Sequence, residues 1–279
     1  MITGTLTVVG TPIGNLGDLS PRAEEALRSC DFIAAEDTRV TLKLLNHLGI
    51  KKPMISYFEH NKLERGDAIC ARLEAGENGV IVTDAGMPCI SDPGELLVAQ
   101  CAQRGIPVSV VPGPSALIAA LAVSGLPTGR FTFEGFLSVT KKSRRDHLES
   151  LRSERRTMIF YEAPHKLMAT LNDLCAVFGP ERRISLVREL TKVHEEVVRT
   201  TLAGACARYT ADMPPRGEFV LVVEGAPEAP AEPECTLAQA EALARRLRDE
   251  EGLSASEAAK RAAAQTGFRK SALYAALND

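Results

Sequence analysis

The sequence predicts an α/β protein with two α/β lobes and a small helical domain at its C-terminal end. Short β-rich runs alternate with helical stretches through residues 1–225, and two such series follow each other. A Pro- and Glu-rich segment then separates them from an alanine-rich tail. Alternating strands and helices are typical of sheets covered by helices. A length of 279 residues also suits two lobes, at about 150 residues per domain.

The first lobe is predicted at residues 1–115. Its five strands are "TLTVVG" (5–10), "DFIAAE" (31–36), "PMISY" (53–57), "GVIVTD" (79–84) and "PVSVVPG" (107–113). Helical stretches such as 21–30 and 95–104 lie between them, with apolar residues near helical spacing. Strands that alternate with helices in this way predict a mostly parallel sheet.

The second lobe is predicted at residues 116–225, and the two lobes are expected to meet near 114–128. Its strands are "FTFEGFL" (131–137), "TMIFYEA" (157–163), "RISLVREL" (183–190) and "EFVLVVEG" (218–225). A linker is predicted at 226–235, because "APEAPAEPE" is too rich in proline and glutamate to bury apolar surface. A helical, helix-turn-helix-like domain is predicted at 236–279, with Thr236/Gln239 and Ser254/Glu257 as capping boxes.

Composition is that of an ordinary globular protein, with 45% hydrophobic and 25% charged residues. The apolar stretch "ALIAALAV" is far shorter than the roughly 20 residues of a membrane span. The first residues show no secretion signal, and the seven cysteines lack C-x-x-C and metal-ligand spacing, so a cytoplasmic protein without a metal site is expected. With a net charge of -3, any contact with nucleic acid requires a local basic patch.

Three loops at strand ends carry the glycines and prolines of a ligand site. They are "VGTPIGNLGDLSP" after the first strand, "VTDAGMPCISDPG" (82–94) after the fourth and "PGPSA" (112–116) after the fifth. Open α/β sheets bind ligands at the carboxyl ends of their strands. The first loop has G-x-x-x-G-x-x-G spacing and no P-loop lysine, which disfavours a nicotinamide or nucleotide-phosphate cradle. In the second, "SDPGE" also predicts a helix start, with Asp92 as N-cap, Pro93 at N1 and Glu95 at N3.

These loops resemble those of a known family. The strings that carry the resemblance are "GTPIGNLGDLSPRA", "AEDTR", "VTDAGMPCISDPG", "PGPSA", "YEAPHK", "RELTKVHEE" and "GEFVLVVEG". In this order, through residues 4–225, they resemble the ribosomal RNA small subunit methyltransferase I family of the tetrapyrrole methylase superfamily (class III methyltransferases). The helical tail is similar to the small C-terminal domain of that family.

The resemblance implies an S-adenosylmethionine-dependent enzyme that methylates the ribose 2'-oxygen of a cytidine, cytidine 1402, in the decoding region of 16S rRNA. It implies a homodimer whose cofactor lies in the cleft between the two lobes and whose substrate is the RNA of the small ribosomal subunit. Mapped by motif, the cofactor contacts are Pro12, Asp84, Ala85, Gly86, Met87, Ile90, Ser115, Ala116, Tyr161 and Leu190.

Candidates for proton handling are His165 in "YEAPHK", together with Glu189, Lys192 and His194 in "RELTKVHEE". Three of them have an alternative, since His165 can be a helix-terminal histidine, and Glu189 and Lys192 can form a structural ion pair or a dimer contact. The oxygen of the ribose must also be aligned with the methyl group, and orientation can contribute up to about 7–11 kcal/mol. A positioned base typically adds only about 10²- to 10⁴-fold.

RNA contacts are predicted mainly in residues 141–156, which hold seven basic and three acidic side chains. The candidates for phosphate contact are Lys141, Lys142, Arg144 and Arg145, together with Arg39 of "AEDTR". A solvated helix face is the alternative for the basic run, and Asp37 can simply cap the next helix. Two other functions stay open at this stage: methylation of a tetrapyrrole ring, and a noncatalytic RNA-binding protein that senses S-adenosylmethionine.

Overall fold

The computed structural model describes residues 3–92, 94–210, 213–227 and 235–277. The chain forms two compact units, Met1–Ala226 and Pro227–Asp279. The first unit contains both sheets, and the second contains the helical tail. This confirms the predicted fold class of two α/β lobes with a helical C-terminal domain.

A five-stranded parallel sheet forms the first lobe, in the order β3-β2-β4-β1-β5. Its strands are β1 (Leu6–Val9), β2 (Phe32–Ala35), β3 (Met54–Ser56), β4 (Gly79–Val82) and β5 (Val108–Val111). Every residue of β2 and β4 is buried, as continuous apolar runs in parallel sheets require. Because all five strands run the same way, the three glycine- and proline-rich loops leave the sheet at one edge.

Helices cover both faces of this sheet. They are α1 (Pro21–Ser29), α2 (Thr38–His47), α3 (Lys62–Glu74) and α4 (Gly94–Gln103). One core cluster contains Leu27 and Leu45 of α1 and α2, and another contains Ile69 and Leu97 of α3 and α4. Asp92 Oδ1 accepts a hydrogen bond of 2.8 Å from the Gly94 N–H, which is the predicted capping role at the start of α4. Pro93, predicted at the first helical position, lies outside the described residues.

The second lobe has a mixed sheet of order β6-β7-β10-β8-β9, in which only β6 and β7 are parallel. Its strands are β6 (Phe131–Phe136), β7 (Thr157–Glu162), β8 (Arg183–Arg188), β9 (Glu196–Thr201) and β10 (Phe219–Val223). The sequence did not predict β9. That strand lies at the sheet edge and is only half-buried, so it lacks the apolar run that marks the other strands.

Four helices complete the second lobe: α5 (Ala116–Val123), α6 (Lys141–Ser150), α7 (Pro164–Phe178) and α8 (Leu202–Arg208). Leu117 and Leu121 of α5 pack with Ile159 and Val220 on one face of the sheet. The other face packs against α6, α7 and α8 around Phe160 and Leu221, as the shared core cluster shows. The helix that follows the "PGPSA" loop therefore belongs to the second lobe.

The tail folds into three helices, α9 (Leu237–Glu251), α10 (Ala255–Thr266) and α11 (Lys270–Ala275). Small side chains, including Ala244 and Ala258, pack around Leu273 in a core of their own. The Thr236/Gln239 capping box is present at the start of α9. Most of the predicted linker, residues 228–234, lies outside the described residues, and the lobe boundaries at 115/116 and 225 stay predictions. None of the described helices combines the length and apolarity of a membrane span.

Candidate active site

Two of the three predicted loops are joined by main-chain hydrogen bonds. Thr11 and Gly86 form an isolated antiparallel β-bridge. The Thr11 N–H donates to the Gly86 carbonyl at 2.9 Å, and the Gly86 N–H donates back at 3.1 Å. The buried Thr11 hydroxyl also donates to the Thr83 carbonyl at 3.1 Å. Loops that are more than 70 residues apart in the chain are thereby held in one position.

The third loop packs against the other two. The Gly113 N–H donates to Met87 Sδ at 3.2 Å. A Cβ added at Gly10 would stand 2.7 Å from the Gly113 Cα, so the backbones of the first and third loops touch directly. Glycine is required at both positions because no side chain fits at that distance.

A cleft of about 490 Å³ opens above these loops and is closed on its other side by the second lobe. Nine of the ten predicted cofactor contacts line it: Asp84, Ala85, Gly86, Met87, Ile90, Ser115, Ala116, Tyr161 and Leu190. Pro12 is not part of the lining, although the next residue, Ile13, is. The structure therefore brings together residues that the sequence spreads over three loops and two lobes.

Strained backbone is concentrated around the cleft. In the described part of the chain, four non-glycine residues have positive φ: Cys89 (72°), Ser91 (65°), Glu189 (49°) and Thr191 (66°). The first two flank Ile90 and the second two flank Leu190, both of which line the cleft. Positive φ costs about 1–3 kcal/mol at a non-glycine residue and is found mostly where function requires it.

Acidic side chains line the first-lobe side of the cleft. Burial, together with the neighbouring Glu36, raises the pKa of Asp84. Glu36 accepts a hydrogen bond of 2.6 Å from the Thr83 hydroxyl. Burial also raises the pKa of Asp92, whose Oδ1 accepts from two backbone N–H groups while Oδ2 is buried without a partner. The cleft thus offers carboxylate oxygens to a cation.

The second lobe contributes aromatic and buried polar groups. The Tyr161 hydroxyl accepts a hydrogen bond of 3.2 Å from the Leu117 N–H at the start of α5, and burial raises the pKa of this phenol. The Tyr161 ring packs against Phe136, with ring centroids 5.4 Å apart. Glu162 is buried and accepts from the Thr170 hydroxyl at 2.6 Å and from the Ala163 N–H at 2.9 Å. The second-lobe wall is therefore firmly held.

Glu189 and Lys192 form an ion pair at the rim of the cleft. Lys192 Nζ lies 2.9 Å from Glu189 Oε1 and 2.8 Å from Glu218 Oε2. The pKa of Glu189 is lowered, chiefly because its carboxylate accepts the Glu218 N–H, and further by Lys192. Burial alone would lower the pKa of Lys192, but its bonds to Glu218 and Glu189 outweigh burial and raise it. Lys192 lines the cleft as a cation, whereas Glu189 stands behind it.

The two histidine candidates for proton handling are placed elsewhere, and His194 is exposed and not part of the cleft lining. His165 is exposed as the second residue of α7 and is not part of the cleft lining, which includes its neighbours Glu162 and Ala163. This position matches the alternative of a helix-terminal histidine. In the described residues, no group of three or more His, Cys, Asp or Glu side chains is placed to hold a metal ion.

The predicted RNA-contact residues differ in how accessible they are. Lys141, Lys142 and Arg145 are exposed on the first two turns of α6. Arg144 is not: its Nε donates to Asp173 Oδ2 at 2.6 Å, and only 11% of its side chain is exposed. Arg39 is 87% exposed and pairs with Asp37, which also caps α2.

Several lining residues were not predicted as site residues. Those with polar or aromatic side chains include Glu36, Asp92, Phe136, Glu162 and Glu218. Glu36 directly follows β2, which pairs with the fourth strand, and this place at the carboxyl end of a strand was the available signal for it. Asp92 was interpreted only as a helix cap, and its second carboxylate oxygen is the part of the residue that sequence reasoning missed.

Comparison with known proteins places this site in a family. A family model described as tetrapyrrole (corrin/porphyrin) methylases matches residues 5–206. The chain is 49% identical to "Ribosomal RNA small subunit methyltransferase I" of Synechocystis sp., with 97% of this chain and 96% of the relative covered. The chain belongs to the ribosomal RNA small subunit methyltransferase I family of the tetrapyrrole methylases.

Other members of this methyltransferase I family are equally informative. The Pseudomonas aeruginosa relative is 46% identical and covers 98% of this chain and 96% of its own length. The relative from Thermotoga maritima is 47% identical over 222 residues, which are 80% of this chain and 99% of that relative. That length is close to the 226 residues of the first unit.

Solved structures show the same fold at lower identity. Diphthine synthase superposes with a TM-score of 0.61 at 16% identity and covers 79% of this chain and 90% of its own. Uroporphyrin-III C-methyltransferase from Thermus thermophilus, complexed with S-adenosyl homocysteine, has a TM-score of 0.53 at 19% identity, with coverage of 79% and 97%. At these identities the comparison concerns the fold alone.

Proposed function

We propose that this chain transfers the methyl group of S-adenosylmethionine to the ribose 2'-oxygen of a cytidine in 16S rRNA, cytidine 1402. The observation that carries the proposal is the cleft between the lobes. Three interlocked loops form its base, and the second lobe closes it. The chain that builds it is 43–49% identical to proteins named for rRNA methylation.

The residues of the cleft suit S-adenosylmethionine. The cofactor supplies an activated methyl group on a positively charged sulfonium, and it carries an ammonium group. The carboxylates of Asp84, Asp92 and Glu36 line the wall that would face such a cation, and the buried Asp92 Oδ2 has no hydrogen-bond partner among the described residues. Apolar side chains, Met87, Ile90 and Leu190, provide surface for the adenosine and methionine chain. No P-loop lysine is needed because the cofactor has no phosphate.

Catalysis by this chain rests mainly on placement. The main-chain bridge between Thr11 and Gly86 and the strained turns at Ile90 and Leu190 hold the walls rigid, which is what alignment of two reactants requires. Lys192 lines the cleft as a cation, held by Glu189, and is placed to orient a polar or anionic part of the acceptor nucleotide. We assign no proton-handling step to His165, because it is exposed and outside the cleft lining.

The RNA is expected to approach along the carboxyl edges of the strands. Lys141, Lys142 and Arg145 follow β6, whose last residue, Phe136, lines the cleft. Arg39 follows β2 and lies in the same turn of chain as Glu36, also in the lining. Exposed cations here would contact phosphates and so position the RNA without reading its sequence. Arg144 contributes to α6 packing through Asp173 instead.

The proposal includes a cytoplasmic homodimer that acts on the small ribosomal subunit. The decisive experiment is transfer of a tritiated methyl group to small subunits from a strain that lacks this gene, followed by mapping of the labelled nucleotide. We expect label on the 2'-oxygen of one cytidine in 16S rRNA. Binding of S-adenosylmethionine with no transfer to ribosomal RNA would overturn the proposal in favour of a sensor. Transfer to a tetrapyrrole ring instead would favour the other branch of the superfamily.

A further inference from the structure

A second concave surface lies beside the cofactor cleft on the second lobe. We call it the arginine pocket, and its volume is about 530 Å³. The side chains that form it come from the end of β8, the start of β9, the end of α8 and the segment before β10. Its lining includes Arg188, Glu196, Arg208, Tyr209, Met213 and Arg216.

A row of paired residues across the second sheet connects this pocket to the cleft. Phe219 of β10 is paired with Glu162 of β7 on one side and with Arg188 of β8 on the other, and Arg188 is paired with Glu196 of β9. Glu162 and Phe219 line the cleft, whereas Arg188 and Glu196 line the arginine pocket. Since neighbouring strands are about 4.8 Å apart, Arg188 is roughly 10 Å from Glu162.

The arginine pocket carries an excess of positive charge. Among the described residues of its lining, three arginines face one carboxylate, Glu196, which lies 3.3 Å from Arg188 Nε and also pairs with Arg208. Arg188 Nε is nevertheless buried without a hydrogen-bond acceptor. Arg216 is exposed, and its guanidinium makes no ion pair within the described residues. The pocket therefore has unused donors for an anion.

Flat and apolar groups stand next to these charges. The Tyr209 ring packs edge-on against Phe219, with centroids 5.8 Å apart, and the Arg208 guanidinium is 6.0 Å from the Tyr209 centroid. Met213 is 63% exposed, and the adjacent Pro214 is exposed as well. Sites for single-stranded RNA combine guanidinium groups, which bind phosphate, with aromatic and apolar surface, which binds a base.

We propose that the arginine pocket binds the phosphate of a nucleotide near the target cytidine while the target ribose occupies the cleft. This rests on the proposed function, since it names a second contact for the same substrate. Arg188, Arg208 and Arg216 supply the charge, and Tyr209 and Met213 supply the surface for a splayed base. The pocket thereby holds the RNA strand on the side of the cleft opposite to α6.

The molecule also provides a matched control. Arg130 and Arg156 line another surface pocket, at the amino-terminal ends of β6 and β7, which is the end of the sheet away from the cleft. Arg156 is the last residue of the basic run 141–156, but this position separates it from the candidates for phosphate contact at the start of α6. Arg156 pairs with Glu154 as Arg208 pairs with Glu196. Arg130 is exposed like Arg216. If RNA binding depends only on the general positive charge of the protein, replacing either pair of arginines should weaken it equally. If it depends on a specific contact in the arginine pocket, only replacement of Arg208 and Arg216 should weaken it.

The test compares R208Q/R216Q with R130Q/R156Q, using a single-stranded RNA oligonucleotide with the decoding-region sequence. Each lost phosphate contact lowers the slope of log affinity against log salt by about 0.7 for single-stranded RNA. We expect R208Q/R216Q to lower that slope by about 1.4 and R130Q/R156Q to leave it unchanged. The KM for small ribosomal subunits should rise in the first variant, while S-adenosylmethionine affinity and thermal unfolding stay as in the parent.

The outcomes separate this proposal from the function on which it rests. If the parent methylates small subunits but R208Q/R216Q shows the parent's salt slope and KM, the arginine pocket is not an RNA site and the proposed function stands. If the parent transfers no methyl group to ribosomal RNA, the proposed function is wrong, and the salt slope with the oligonucleotide still decides the pocket. Equal slope changes in both double variants would also overturn the proposal.

Discussion

Replacing Gly86 by alanine tests whether the loop geometry creates the cofactor site. Gly86 has a φ of +89° and lies at the bridge to Thr11. A left-handed backbone costs a residue with a Cβ roughly 1–2 kcal/mol. For a chain of this size, about 2–4 °C of Tm is lost per kcal/mol, so G86A should melt roughly 2–8 °C lower.

The added methyl group would also press on the cleft. Its Cβ would stand 3.3 Å from Ile13 Cγ2 and 3.4 Å from the Pro114 carbonyl oxygen. The contact with Ile13 is tighter than usual, so the first loop must move by a few tenths of an ångström, whereas the distance to Pro114 is at the lower limit of an ordinary contact. Ile13, and Ser115 beside Pro114, line the cleft. We therefore expect S-adenosylmethionine to bind about tenfold more weakly, which is ~1.4 kcal/mol.

Gly49 offers a control with the same backbone requirement and no cleft. Its φ is +66°, and an added Cβ would meet nothing within 4 Å. G49A should lose a similar amount of stability but bind S-adenosylmethionine like the parent. Isothermal titration calorimetry and thermal unfolding on both variants give the comparison. If G86A binds the cofactor as tightly as G49A does, the interlocked loops do not form the site and the reasoning is refuted.

Four further predictions concern substitutions of Asp92, Glu189 and His165 and removal of the helical tail. Because burial raises the pKa of Asp92, the charge on this carboxylate destabilises the fold at neutral pH. D92N should therefore raise the Tm while it weakens cofactor binding, and a lower Tm would contradict this. The lowered pKa of Glu189 means that its carboxylate stabilises the fold only while ionised. In urea unfolding, E189Q should therefore be about 1–3 kcal/mol less stable than the parent above pH 5. This difference should shrink as the pH falls through the lowered pKa of Glu189. A difference that does not change with pH would count against the ion pair. H165Q should keep kcat within about threefold of the parent in the methyl-transfer assay, because the loss of a positioned base costs ~10²- to 10⁴-fold and this histidine is outside the cleft lining. A chain ending at Gly225 should fold and bind S-adenosylmethionine, since the four core clusters of the first unit end at Val223; an unfolded product in circular dichroism would show otherwise.

The sequence predictions that the structure confirms concern features that depend on residues close together in the chain. The strands β2 and β4 are continuous apolar runs because both of their faces are covered, and such runs are visible without any partner. The caps at Asp37 and Thr236 involve residues two or three positions away, so they were also predictable. The three loops were identified from their glycines and prolines, and their convergence follows from parallel strands.

The errors and omissions concern partners that are far apart in the chain. β9 was not predicted because an edge strand with one open side lacks a full apolar pattern. Arg144 was predicted to be a free cation because it lies within a basic run. Only the packing of α6 on α7 shows that it forms an ion pair with Asp173. The burial of Asp92 Oδ2 likewise depends on what surrounds it, and not on the residues beside it.

By itself, then, the amino-acid order determined the two α/β lobes, the helical tail, the family and ten of the 22 residues that line the cleft. Tertiary structure alone decided which charged side chains form ion pairs within the protein and which can contact a ligand. It places Lys192 between two glutamates, Glu189 behind the cleft, and three arginines in a pocket beside the cleft. The physical reason is that local propensity and hydrophobic pattern act over a few residues, whereas burial and ion pairing depend on strand register and packing between distant segments.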